Sequence, residues 1–570
     1  MKQSIGNFLL RRLQEAGIHH IFGVPGDYNL GLMQQLEDRG EPAWIGNCNE
    51  LNASYATDAY ARINGLGAMI VTHGVGTLSA VNGIAGAYSE HVPVILISGS
   101  LPLRAVQRGD LMHHTLIARE KGNLCHIFAE ITEAQGRLTP ENAVAEIDRL
   151  ILTSWRRKLP VYLELPSDIP YLEIEVPDCP LKLEMIPSEQ KSLKACTEMI
   201  LDRLQSAKSP AVLLDIDALR FGVSRQIIEL AERFQMRVAT LNCAKGAFPE
   251  SSPQFIGTYV GIASSPRTRE SIEESDCLLT VGYRRVETTV GFLTDKLPAS
   301  AIHLNSDSVD TAAKNYQGVY IAELLDSVVD SSSDFVSNKQ PARPSKQSPF
   351  VPSDGPLTQE AYWNAIQKFL RPGDVIVVED GASSAGMGRL MLPDGCTYIT
   401  GAFVWCSIGY ATPALLGAIL ASPGRRHILL TGEGSLQMTV QEISTVMRHD
   451  LKPFIFIINN SGYTVERAVL GKDAKYNDVA NWRYSELPNV FSREKKAETY
   501  VVQTSNELQN VLDSLHSGMV FVESVMDKYD APIDLIFGGH ALADSDYGVP
   551  GPQSIANSQI PFPTRAATSS

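Results

Sequence analysis

HILLTGEGSLQMTVQEISTVMRHDLKPFIFIINNSGY, residues 427–463, is the stretch from which the fold is read. The apolar run His427–Thr431 reads as a strand, and it stops at Gly432-Glu433-Gly434-Ser435. Leu436, Val440, Ile443 and Met447 then recur at helical spacing, which predicts one amphipathic helix. A second strand, Phe454–Ile458, delivers Asn459 and Asn460 at its end, followed by Ser-Gly-Tyr. Strand–helix–strand order of this kind builds parallel α/β sheets, whose ligands bind beyond the C-terminal strand ends. A glycine turn opening a helix offers N–H groups and a positive dipole end to an anion. Glu433 and Asn460 add hard oxygen ligands suited to Mg²⁺ or Ca²⁺. The stretch therefore predicts a cradle for a metal-bound diphosphate; an ordinary βαβ unit with polar residues at its strand ends is the alternative.

The same alternation runs through the chain. Short apolar runs at Met69–Thr72, Val94–Ser98, Val161–Leu165, Ala211–Ile216, Cys277–Gly282, Ala301–Asn305, Val375–Asp380 and Val520–Val525 read as further strands between helical patterns. A proline-rich break follows Leu165, and a polar Pro/Ser stretch spans Ser331–Pro356. These breaks suggest α/β domains at 1–180, 181–335 and 358–540, with a linker at 336–357. The Gly/Pro/Ser-rich end, 541–570, reads as a flexible tail. The fold class expected is three doubly wound parallel-sheet domains.

With 44% hydrophobic and 20% charged residues, the 570-residue chain has a globular composition. A net charge of −15 argues against nucleic acid or an anionic membrane as partner. Eight cysteines without a C-x-x-C pair suggest neither a zinc site nor a disulfide framework, and fit a reducing compartment. The N-terminal pattern with Ile5, Leu9, Leu10 and Leu13 reads as an amphipathic helix rather than a signal peptide, so a cytoplasmic location is expected.

A second constellation lies near the N-terminus. CNELNASYATDAYAR, 48–62, predicts a helix starting near Asn49 with Glu50 at its head. Ala53 and Tyr55 are candidates to desolvate that carboxyl and raise its pKa; a charge that complements the helix dipole is the alternative. Phe22-Gly-Val-Pro-Gly-Asp27 reads as a strand-end turn that exposes Asp27, and Thr72-His-Gly-Val-Gly-Thr77 as a second glycine loop. His113 and His114 offer two imidazoles on a loop, either as surface residues or as proton carriers.

Together FGVPGDYNL, NELNASYATDAYAR, GVGTLSAVNGIAGAYSE, HHTL, WCSIGY, TGEGSLQMTVQEIS and IINNSGYTVERAVLG, spread from Phe22 to Gly471, resemble the thiamine-diphosphate enzymes of the pyruvate/indolepyruvate decarboxylase family. The resemblance implies a pyrimidine-binding, a middle and a diphosphate-binding domain. It further implies active sites between subunits of a homodimer or homotetramer. The implied reaction converts a 2-oxo acid to an aldehyde and CO₂ through an enamine on the cofactor. By the same resemblance Glu50 holds the aminopyrimidine nitrogen, Ile408 is the wedge that bends the cofactor, and the Cys406 carbonyl holds the amine. Glu433, Asn460 and the Gly462 carbonyl bind the metal, and Ser435 holds the diphosphate. Val75, Asn82, Ser383, Gly432 and Gly434 are further cofactor contacts. Asp27, His113, His114 and Glu466 form the proton relay.

Several positions depart from the family pattern. Glu433 replaces the usual aspartate, which loosens an octahedral Mg²⁺ site or favours Ca²⁺. In EDGASSAG, 379–386, Ala382 lacks a threonine hydroxyl, for which Ser383 or Ser384 is the candidate substitute. Ala385 stands where an aromatic ring narrows the pocket, so substrates larger than pyruvate are expected. Arg284 is a candidate for the substrate carboxylate, with a surface role as the alternative. No cysteine falls in 215–221, so substrate activation through a thiol there is not expected. Two other readings stay open: a carboligase that makes acyloins from the same intermediate, and a non-catalytic subunit that retains the fold.

Overall fold

The computed structural model describes residues 1–116, 123–333, 351–494, 497–514 and 518–547. Three sheets carry the architecture. The first is six-stranded and parallel, in the spatial order Ala43–Gly46, His20–Gly23, Gly67–Thr72, Val94–Ser100, Val161–Pro166, Ala134–Arg137. The third repeats that order with Thr397–Thr400, Val375–Val378, His427–Gly432, Phe454–Asn459, Val520–Val525 and Glu498–Val502. In each sheet the first strand in sequence lies between the second and the third, so the winding reverses there and opens a crevice at the strand ends. Asp27 and the Gly74 loop follow the two strands at this switch point in the first sheet. Glu379-Asp380 and Gly432-Glu433 follow them in the third.

The middle sheet has seven strands, and it is not wholly parallel. Phe255–Thr258, Arg237–Thr240, Pro210–Leu214, Cys277–Val281 and Ile302–Leu304 run parallel. Ser308–Asp310 and Asn315–Gln317 extend the edge antiparallel through short turns. Cys243 donates from Sγ to Asp215 Oδ1 at 3.1 Å, so a thiol does approach the 215–221 turn, from elsewhere in the chain. Burial, helped by Asp215, pushes its pKa well above the ordinary thiol value, which makes it a poor nucleophile.

The 427–463 unit forms as a strand, helix and strand, with one difference. The single helix expected is three consecutive pieces, Glu433–Thr439, a 3₁₀ turn Val440–Glu442, and Ile443–Arg448. Thr439 Oγ1 donates to Gly409 O, and Glu442 is pulled toward the N-terminal domain, which together break the register. Leu436, Val440, Ile443 and Met447 are all buried regardless. The expected loose tail is also corrected for its first residues: Ile533–Tyr547 is a helix. Gly539 serves close packing there, since a Cβ on it would lie 2.5 Å from Ala468 Cβ. The rest of that tail, and 336–350 of the expected linker, lie outside the described residues. At the linker's far end Leu357 is buried in the third domain's core and its N–H donates to Gln503 O.

The first and third domains of one chain pack through helices Glu50–Asn64 and Ala411–Ala421. Gly417 makes this possible, because a Cβ there would sit 1.9 Å from Ala56 O. No helix among the described residues is long and apolar enough to cross a membrane.

Candidate active site

The cradle lies at the switch point of the third sheet, on a cavity of ≈ 1340 Å³. Of the residues singled out in the sequence, Ala385, Cys406, Ile408, Gly432, Glu433, Gly434, Ser435, Asn460, Gly462 and Glu466 line it. Glu433 and Asn460 are almost wholly buried. Glu433 Oε1 accepts from Gly462 N at 2.6 Å, and Asn460 Nδ2 donates to Thr464 Oγ1 at 2.7 Å. Burial pushes the Glu433 carboxyl up to about 7, although backbone N–H groups of the turn pull the other way. The longer glutamate side chain thus reaches across to the turn that follows the next strand. A carboxyl oxygen, an amide oxygen and a backbone carbonyl are the hard donors that Mg²⁺ or Ca²⁺ prefers, and Gly434 admits the backbone where a Cβ would strike Tyr463. The residues present fit a metal-bound diphosphate.

Glu379 and Asp380 close the neighbouring wall. Glu379 accepts from Ala411 N and Asp380 N, yet burial pushes its pKa up to about 8. Asp380, which the sequence reading passes over, lines the cavity; Gly381 N and Ser384 Oγ donate to it, and burial raises its pKa too. Ser384 is therefore engaged. Ser383 does not line the cavity, and its buried hydroxyl makes no hydrogen bond among the described residues. Arg284 does not line the cavity either. Its guanidinium donates to Ser89 O and its N–H to Asp215 Oδ2, which braces the first domain against the middle one away from the cavity.

The N-terminal constellation forms a separate cluster. Asp27 Oδ2 and His113 Nε2 lie 2.7 Å apart, and Tyr28 OH lies 3.2 Å from His113 Nδ1. With Nε2–H donated to Asp27, Nδ1 accepts from Tyr28, whose ring also stacks on His113. Asp27, His113 and His114 converge within 4.8 Å. His114 has φ +60, and its carbonyl packs so closely on Gly74 that a Cβ there would lie 2.0 Å away. His73 beneath is pushed down to about 4 by burial, aided by Arg137 and His114, so it is neutral. Glu50 opens helix Glu50–Asn64 behind the Asn49 cap and is half-buried beside Gly76. Ala53 and Tyr55, expected to desolvate it, belong instead to hydrophobic cores, and Tyr55 OH pairs with Ser407 Oγ at 2.5 Å. Asn82 is held by Tyr55, Ser407 and Trp405, and Val75 is exposed. Neither Glu50, Asp27, His113, His114, Val75 nor Asn82 lines the cavity of its own chain.

Missing from the sequence reading are Tyr28, Asp380 and the apolar wall of Phe292, Phe403, Val465, Phe537 and Leu542. Tyr28 adjoins Asp27 and was within reach of the motif; the wall comes from elements far apart in the chain.

Two sheets of one winding, each with a loop cluster at its switch point, are the arrangement expected of a thiamine-diphosphate enzyme. Family models agree: the N-terminal TPP-binding domain of thiamine pyrophosphate enzymes matches residues 3–118, the central domain 197–326 and the C-terminal TPP-binding domain 381–524. Pyruvate decarboxylase isozyme 2 of Saccharomyces cerevisiae is 34% identical over 550 residues, 94% of this chain and 97% of its own. The alpha-keto-acid decarboxylase of Mycolicibacterium paratuberculosis is 36% identical over 540 residues, 93% and 95% respectively. Pyruvate decarboxylase of Aspergillus fumigatus is 35% identical over 552 residues, 95% and 97%. The chain belongs to the thiamine-diphosphate-dependent 2-oxo acid decarboxylases, lyases that release CO₂ from a 2-oxo acid.

Proposed function

We propose that the substrate is a 2-oxo acid with a bulky apolar, aromatic or branched side chain. The observation that carries this is the cavity wall: Ala385 leaves open what a ring would fill, and Phe292, Phe403, Val465, Phe537 and Leu542 offer apolar surface around it. When bound, thiamine diphosphate supplies the nucleophilic carbon and the electron sink for decarboxylation. Gly432, Gly434, Ser435 and Asn460 would hold its diphosphate side, with Mg²⁺ on Glu433, Asn460 and the Gly462 carbonyl. Cys406 and Ile408 would hold and bend its ring side. Glu50 would keep a proton at the pyrimidine nitrogen. Asp27, His113, His114 and Glu466 would receive the substrate carboxylate and return a proton to the product.

The active unit is at least a homodimer, commonly built as a tetramer in this family. Glu50 and the Asp27–His113 pair do not line their own chain's cavity, and exposed Leu30, Val75, Leu78 and Leu111 lie near them in sequence. Eight unpaired cysteines support a cytoplasmic location.

The test is a panel of 2-oxo acids, from pyruvate to indolepyruvate, assayed for CO₂ release with the natural chain and with Ala385→Phe. The natural chain should favour the aromatic acids. The variant should lose about 10–200-fold in kcat/KM for them while sparing pyruvate, a range set by pocket-filling discrimination. A natural chain that prefers pyruvate overturns the substrate reading.

A further inference from the structure

Glu442 has no part in the reaction as described, yet it is 0% exposed and gathers three N–H donors from the other end of the molecule. Its Oε1 accepts from Asn47 Nδ2 at 2.8 Å. Its Oε2 accepts from Cys48 N at 3.2 Å and from Asn52 Nδ2 at 2.8 Å. These donors bracket Glu50. Asn52 N in turn donates to the Asn49 cap at 2.8 Å, which fixes where the helix begins and hence where Glu50 sits in its first turn. Asn47 reaches further: its Oδ1 accepts from Gly23 N at 3.1 Å, at the end of the strand that leads to Asp27. Cys48 Sγ donates to Gln441 O, and Arg448 donates to Gly46 O, so the loop is tied on both sides.

We propose that Glu442 is a positioning residue for Glu50, and through Asn47 for the Asp27 turn. It closes the 3₁₀ turn Val440–Glu442 that continues helix Glu433–Thr439, whose first residues line the cradle. One helical run therefore joins a chain's own diphosphate cradle to the glutamate that the chain presents outside its cavity. The inference rests on the role of Glu50 given under the proposed function. It adds that the diphosphate-binding domain sets that glutamate's position within the same chain.

Glu442→Gln keeps the size but turns an NH₂ group toward donors. In the full-length chain without added cofactor, hydrogen exchange at residues 46–52 and 23–27 should quicken, while the core strands keep natural rates. With cofactor and substrate saturating, kcat per bound cofactor should fall about 10–100-fold, the usual cost of losing a supporting hydrogen bond, with KM changed much less. Asn52→Asp added to Glu442→Gln places an acceptor opposite the new donor and should restore much of kcat. If Glu442→Gln does not fold, Asn47→Ala, a half-buried site, is measured instead and should show the same exchange and kcat effects. Natural exchange rates and natural kcat in whichever variant folds overturn the proposal. Glu50→Gln runs beside them: an active Glu50→Gln enzyme overturns the role of Glu50 itself, whereas an inactive one beside a normal Glu442→Gln overturns only the positioning.

Discussion

Glu379 and Glu433 are buried acids at the ends of adjacent strands, and their partners give them different tasks. Glu433 sits among oxygen donors that suit a cation, whereas Glu379 meets backbone N–H groups of Asp380 and Ala411 in the wall behind the cavity. Burial outweighs those hydrogen bonds and lifts Glu379 from an ordinary 4.5 to about 8. An acid whose folded pKa is raised binds its proton more tightly in the folded state. Its contribution to stability is therefore complete below about 4.5 and is lost as pH climbs toward about 8. The slope is about 1.4 kcal/mol per pH unit inside that window. Glu379→Gln removes the titration, so urea unfolding at a series of pH values should give a flatter stability profile for the variant than for the natural chain. A profile unchanged by the substitution would place the titration elsewhere. At this scale the sequence exposes residue types in motifs but not direction: Ser383 and Ser384 are neighbours in a glycine-rich turn, and only packing decides that Ser384 reaches the cavity wall.

Among the elements, the C-terminal helix Ile533–Tyr547 matters most for the pocket, because Phe537, Gly538, Gly539 and Leu542 line the cavity. It lies against helix Thr464–Val469, which carries Glu466. A side chain at Gly539 would press on Ala468 and push the two helices apart. Gly539→Val should raise KM for the 2-oxo acid and cost about 1–3 kcal/mol, the usual range for overpacking; steady-state kinetics and thermal unfolding measure the two effects. An unaltered KM would mean that the helix leaves the pocket free. Composition misleads here, since glycine and serine suggest a loose tail whereas Gly539 permits close contact. Most central strands were legible, because the central strands of parallel sheets are buried on both faces and read as plain apolar runs; Arg237–Thr240 was passed over. Short edge pieces such as Asn315–Gln317 have no such run, and the break at Val440–Glu442 comes from a partner far off in sequence.

On the scale of the whole molecule, the two clusters proposed as half-sites stay apart in one chain, since neither Glu50 nor the Asp27–His113 pair lines the cavity. Motifs brought both groups into view, since each lies on a strand-end loop with its own glycine signature, and the cradle group gathers on one cavity. Under the proposed function, the halves combine through symmetry between copies. A closed dimer would set the Glu50 half of one chain over the cradle of the other, twice. That geometry makes a sharp prediction about mixtures. A chain with Glu50→Gln keeps its cradle, and a chain with Glu433→Ala keeps its glutamate and its Asp27–His113 pair. Each alone should be nearly inactive. Co-expressed in equal amounts, half of randomly paired dimers are mixed, and each mixed dimer holds one intact site of two, so about a quarter of natural activity should return. Decarboxylation assays on the purified mixture, with the subunit ratio measured by mass spectrometry, give the number. Were each chain to complete its own site, every site in the mixture would carry one lesion, and activity would stay at the level of the parents.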